Sequence, residues 1–219
     1  GEFENIDWLG RVDGDSVIVY DRRNLRFSIF DLDAKLVPSI TAAEGFFGVA
    51  GRFADGSFLI PPSVSFSSSD APRNGLVRDS SRIIRVLASG SETDTLMVLI
   101  GTEIILHHTP TRMSARLAPF GRVTRVAVGD TAFHTVTSDT YEIRTWNRDG
   151  RLLRVLRRSI EPAAVSGEDI DRLKAEELEN TQSDNERREL EGTLADMPYP
   201  DRMPALRRLH AAAPRFPAQ

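Results

Sequence analysis

His107 and His108 are the residues that first invite a chemical reading. Imidazoles ligate zinc and move protons near neutral pH. Adjacent residues on a strand face opposite sides, so this pair cannot hold one ion from one strand. The expected role is a strand-end histidine with one face exposed. His134 falls inside a strand pattern and reads as a core or inter-sheet histidine. Zinc needs three or four convergent ligands, and neither H-x-x-x-H nor H-E-x-x-H occurs. Asp13, Asp15, Asp55 and Asp130 are the candidate carboxylates for a divalent cation. Each sits in a turn, where Asp bonds to nearby backbone, so a turn-forming role is expected. Glu142 and Arg144, two apart on a strand, share a face and read as a solvated ion pair. Serines at 63, 65, 67, 68 and 69 read as a flexible loop, and no G-x-S-x-G elbow exists. Glycine-rich phosphate motifs are absent. The pairs Arg157-Arg158 and Arg207-Arg208 are too sparse for nucleic-acid recognition. No catalytic, cofactor-binding or metal residue is assigned, and no cofactor is implied.

The elements that would position these groups come from a repeat. Residues 129–156 echo residues 14–40. Each copy opens with Gly-Asp and runs into an apolar strand, at 17–20 or 132–136. A polar turn follows, then a strand ending in an aromatic, at 27–30 or 141–146. A five-residue turn then leads to an apolar strand, at 36–40 or 152–156. Asp31 and Asn147 are 116 apart, as are Lys35 and Arg151. Ala34 stands where the second copy has Gly150. That loop position favours left-handed backbone, so the first copy is expected to be slightly strained or differently turned.

In chain order, residues 1–40 read as one four-stranded antiparallel unit. Residues 41–88 read as a second, degenerate unit, with strands at 45–53, 57–60, 76–78 and 83–87. Pro61-Pro62 ends its second strand. Residues 89–121 would hold a third unit, with strands at 95–100, 103–107 and 114–117. Residues 122–158 form the fourth and clearest. The blade region is therefore 1–160. Residues 161–196 then carry 12 acidic and 4 basic residues, a local net charge of −8. Ser166 and Ser183 open capping-box-like helix starts, within an acidic helical insertion spanning 161–200. Their apolar stripes are thin, so the helices are expected on a surface. Residues 201–219 are basic and rich in Pro and Ala, and their last ten are expected to be poorly ordered.

Composition bounds the reading. Hydrophobic residues make up 40% and charged residues 27%, the balance of a soluble globular chain of 219 residues. The longest apolar run, at 96–100, is too short to span a bilayer. A net charge of −4 gives no overall pull toward nucleic acid or anionic lipid. The absence of cysteine excludes disulfides and thiolate chemistry. The chain starts at Gly1 without a signal-peptide pattern, as expected of a processed N-terminus or a piece of a longer protein.

Four-stranded units of about 40–45 residues, apolar on both faces, are the sequence signature of a β-propeller. The 116-residue offset fits three such blades if the third is short. The fold class read here is all-β: a propeller of four-stranded antiparallel blades, about four present, with a helical excursion near the C-terminus. The carriers of a closer resemblance are Val126–Val128, Gly129-Asp130, Tyr141-Glu142-Ile143-Arg144, Trp146 and Asp149-Gly150-Arg151-Leu152-Leu153. They resemble the blades of six-bladed β-propellers of the NHL-repeat type, in particular an uncharacterised bacterial group. That resemblance is specific for fold, says almost nothing about activity, and favours an extracytoplasmic, periplasmic or secreted location. Six blades need about 240–270 residues, more than this chain has once 161–196 are set aside, so an incomplete ring and a fragment are expected. The expected function is a non-enzymatic module presenting a protein- or ligand-binding surface. The alternative is a metal-dependent, lactonase-like propeller hydrolase or lyase with its site at the central channel. The expected partner is a protein or small molecule of unknown identity, with no nucleic acid and no membrane span.

Overall fold

The computed structural model describes residues 3–12, 16–41, 48–62, 75–89, 93–109, 112–181, 183–206 and 208–209. The described chain is mostly β, with four antiparallel sheets of three or four strands and two helices. Sheet I is a meander of β1 (Ile6–Val12), β2 (Ser16–Asp21), β3 (Arg26–Phe30) and β4 (Leu36–Thr41). Sheet IV repeats it with β12 (Arg125–Val128), β13 (Ala132–Val136), β14 (Tyr141–Asn147) and β15 (Leu152–Arg158). Between them lies sheet II, ordered β5 (Gly51–Arg52), β6 (Phe58–Ile60), β8 (Ser80–Val86) and β9 (Thr93–Ile100). Sheet III is ordered β11 (Arg112–Leu117), β10 (Ile104–Thr109) and β7 (Gly75–Val77).

The first and fourth units match their expected strands closely. The middle of the chain differs. Residues 76–77, expected in the second unit, pair instead with β10, and the strand at 95–100, expected in the third, closes sheet II. The reason is local. β8 and β9 form one long hairpin, registered from Ser80↔Ile100 to Val86↔Thr93, and the Gly101 N–H closes it on the Asp79 carbonyl at 2.7 Å. A Cβ at Gly101 would meet that carbonyl oxygen at 2.4 Å, so glycine is needed there. The 116-residue offset therefore spans three units, sheets I and II and the three-stranded sheet III.

Sheet II is apolar on both faces, and each face is covered. Phe58 and Ile60 point toward sheet I and pack with Ile18, Tyr20 and Phe27. Phe58 stacks on Phe27 with ring centroids 4.4 Å apart and meets Trp8 edge-on. Leu59, between them in sequence, points the other way and packs with Phe53, Ile83 and Phe133 against sheet IV. Trp146 extends that second core by stacking near Phe133 at 6.4 Å. This alternation is the two-residue period of a strand. Deleting one such buried ring costs about 3–5 kcal/mol.

The repeat is reproduced atom for atom in one turn. Asp31 accepts from the Asp33 and Lys35 N–H groups at 3.1 and 2.9 Å. Asn147 Oδ1 accepts from Asp149 and Arg151 at 3.1 and 2.7 Å. Ala34 adopts φ +58° and Gly150 φ +81°, so the left-handed position falls where expected.

Helix α1 (Gly167–Glu179) is opened by Ser166, whose side chain accepts from the Asp169 N–H while the Asp169 carboxylate accepts from the Ser166 N–H. Helix α2 (Asp184–Ala195) is opened by Ser183, which accepts from the Glu186 N–H. Both lie on the surface: α1 buries no residue and α2 buries Leu194 alone. The acidic segment then returns, pairing Ala164 with Arg202 and handing the Ala205 N–H to the Ser138 carbonyl at 3.0 Å. The helices sit beside sheet III, where Glu177 reaches Arg116, and leave β15 exposed at every position.

Candidate functional site

The polar side chains with the most partners lie where sheets meet. Asp55, in the turn before β6, accepts from the Ser57 hydroxyl at 2.6 Å and its N–H at 3.0 Å. It also receives Arg85 at 2.8 Å from β8 and Arg148 at 3.1 Å from the turn after β14. Arg85 reaches on to Asp149 at 3.0 Å, so this network ties sheet II to sheet IV. Burial opposes ionisation of Asp55, but the Ser57 hydrogen bonds and the two arginines outweigh it and hold its carboxyl below the usual range.

A second network lies near the start of sheet III. The mostly buried Arg78 donates to the Gly101 carbonyl at 2.9 Å, to both Asp139 oxygens at 2.6 and 3.1 Å, and to the Thr137 carbonyl. Arg122 lies 3.4 Å from Asp139 and 2.8 Å from the buried Glu103, which also accepts the Arg122 N–H. Asp139 is desolvated, yet the Arg78 hydrogen bonds and the nearby positive charges hold its carboxyl low. A third group centres on Glu142, which pairs with Arg144 at 2.5 Å and with Arg157 from β15. The Arg157 hydrogen bond comes first among the causes that keep its carboxyl low. Glu142 and Asp139 line a groove of about 360 Å³ between β9 and β13–β14. Carboxylates held charged by arginines suit anchoring, not proton donation at neutral pH.

The sequence-read candidates fall as follows. Asp13, Asp15, the serines at 63–69 and Arg207 lie outside the described residues. His107 and His108 occupy successive positions of β10, opposite Ser114 and Met113, which puts them on opposite faces; their side chains lie outside the described set. His134 is half-buried on sheet IV and shares a 3.0 Å hydrogen bond with Thr145 across the strand pair. Asp55 serves its turn and the inter-sheet network. Asp130 is exposed, and its carbonyl accepts the Ala54 N–H at 2.8 Å, joining sheets II and IV by backbone. The Glu142–Arg144 pair is present. Among the described residues no cluster of three or more His, Asp or Glu side chains could hold a metal ion. Sequence reasoning missed the Arg78–Asp139 contact, which joins residues 61 apart and carries no spacing signal.

A larger recess of about 670 Å³ lies between sheet III and α2, lined by Leu106, Ala115, Arg116, Arg188, Thr193 and Met197 among others. Its two arginines are already engaged, Arg116 with Glu177 and Arg188 with the Asp184 carbonyl and Asn185, and Glu189 and Asp196 also line it. No described helix is long and apolar enough to cross a membrane.

No family model matches the sequence, and no curated protein matches it. Among solved structures, the chain is similar to a functionally unknown protein from Desulfotomaculum acetoxidans DSM 771, at 11% identity over 71% of this chain and 72% of that one, with a TM-score of 0.25. Similarity at that level speaks for neither a shared fold nor a shared function.

Proposed function

We propose that sheets I, II and IV are successive blades of a propeller-like array of NHL-repeat type, and that the chain is a non-enzymatic module offering a protein- or ligand-binding surface. The observation that carries this reading is the place of sheet II, buried on both faces between two like sheets. Sheets II and IV come closest at their first strands: a Cβ on Gly51 would lie 2.7 Å from Val128. A groove beside Glu142 opens at residues 98–100 of β9, while Leu96 of the same strand touches the turn at Gly150. The charged side chains between the sheets are spent on holding them together, which supports a frame whose loops and outer edges do the recognising.

The test is elemental analysis of the purified protein after dialysis without chelator. Metal well below one ion per chain is expected. Stoichiometric Ca²⁺ or Zn²⁺ would overturn the non-enzymatic reading in favour of a metal-dependent hydrolase or lyase.

A further inference from the structure

Strand β15, Leu-Leu-Arg-Val-Leu-Arg-Arg, closes one edge of sheet IV, and among the described residues nothing pairs with its outer side. All ten residues from 151 to 160 are exposed, including Leu153 and Leu156 at 52% each. An edge strand offers alternate N–H and C=O groups to any chain that lies alongside. Proteins often blunt such an edge with proline. The equivalent strand β4 has Pro38 at the position that Arg154 holds in β15. β15 keeps its full set of donors.

Side-chain chemistry narrows what could lie there. The register Thr145↔Arg154, Ile143↔Leu156 and Tyr141↔Arg158 puts Arg154, Leu156 and Arg158 on one face. Leu153, Val155 and Arg157 take the other. Arg157 is held by Glu142, whereas Arg151, Arg154 and Arg158 have no acidic partner among the described residues. An added strand that alternates acidic and apolar residues would set its carboxylates beside Arg154 and Arg158. Its apolar residues would then lie beside Leu153 and Val155. A second copy paired antiparallel through Val155 would instead set Arg154 against Leu156 and Arg158 against Leu152, leaving those charges unmet.

We propose that β15 is a docking edge for an extended acidic segment of a partner protein, which adds to sheet IV as a fifth strand through backbone hydrogen bonds. This deepens the binding-module reading and rests on it.

The probe is a synthetic peptide of four Val-Glu repeats, with a Val-Lys peptide as control. Amide hydrogen exchange is followed on the full chain. Val-Glu should protect alternate amides of β15, with an affinity that falls as salt rises, and Val-Lys should not. R154E/R158E should weaken binding at least about tenfold, and R154K/R158K should retain it. Trp146 emission checks that sheet IV is folded in each variant. Four results overturn the proposal: no protection at β15, equal binding of the Val-Lys peptide, indifference to charge reversal, or β15 protection without peptide in a concentration-dependent dimer. An oligonucleotide that protects the same amides as well as Val-Glu also overturns it, in favour of general polyanion binding. A metal-free protein whose β15 ignores the peptide loses the edge and keeps the module reading. Stoichiometric metal removes the module reading whatever β15 does.

Discussion

Asp21 shows what a single carboxylate does in this protein. It is fully buried, yet it accepts from the backbone of Glu4 at 2.8 Å, of Asn5 at 3.2 Å, of Arg23 at 3.1 Å and of Asn24 at 3.2 Å, and from the Asn24 side chain at 2.8 Å. Burial alone would raise its pKa; the hydrogen bonds from Glu4, Asn24 and Asn5 override that and lower it to about 2. A folded-state pKa below the unfolded one stabilises the fold above the unfolded value, near 3.8, and the contribution is lost as pH falls through about 2. Asp21→Asn should therefore cost about 1–2 kcal/mol at neutral pH. Urea midpoints of wild type and variant should converge as pH falls from about 4 toward 2. A constant gap would show that charge is not what Asp21 contributes. Sequence reasoning passed over this residue because its donors come from a segment 16 and 17 positions earlier as well as from its own turn.

Turns and strands carry the next scale. Ala34 holds a left-handed backbone that costs an alanine more than a glycine. Ala34→Gly should raise stability by about 0.5–1 kcal/mol. Gly150→Ala should lower it by about 1–2 kcal/mol, because the new Cβ would also press on the Leu96 carbonyl at 3.2 Å. Thermal midpoints moving in opposite directions check both at once. This pair was legible because turn chemistry is local: an Asx residue and a left-handed position fixed their own offsets in the chain. The strands of sheets I and IV were legible for the same reason, each joined to the next by a short turn. Sheet III was not. Its strand at 75–77 joins 104–106 across the whole β8–β9 hairpin, and nothing within either segment records that choice. Helix starts were readable from Ser166 and Ser183, but which surface the helices rest on was not, since their apolar faces are thin and their contacts are with residues far away in sequence.

At the scale of the molecule, stability rests on two apolar seams and the arginines that bridge them. Arg78 joins the loop after β7 to residues 101, 137 and 139 while mostly buried. Arg78→Leu removes the donor shared by Asp139 and the Gly101 and Thr137 carbonyls, leaving Asp139 to Arg122 and the Gly101 carbonyl to the Thr124 hydroxyl, and should cost about 1–3 kcal/mol in urea unfolding, more than the same change at the exposed Arg154. The candidate site was the least legible part of the protein, because inter-sheet contacts such as Arg85 with Asp149 and Arg148 with Asp55 exist only once sheets II and IV are adjacent. The two tryptophans report on different seams, Trp8 against Phe58 and Trp146 against Phe133. The three-residue strand Phe58–Ile60 feeds both seams with successive side chains. Adding or removing one amino acid inside it would turn its side chains toward the wrong neighbours. Length variation among natural variants should therefore avoid this stretch and gather in the connecting segments, while substitutions that keep its side-chain sizes pass.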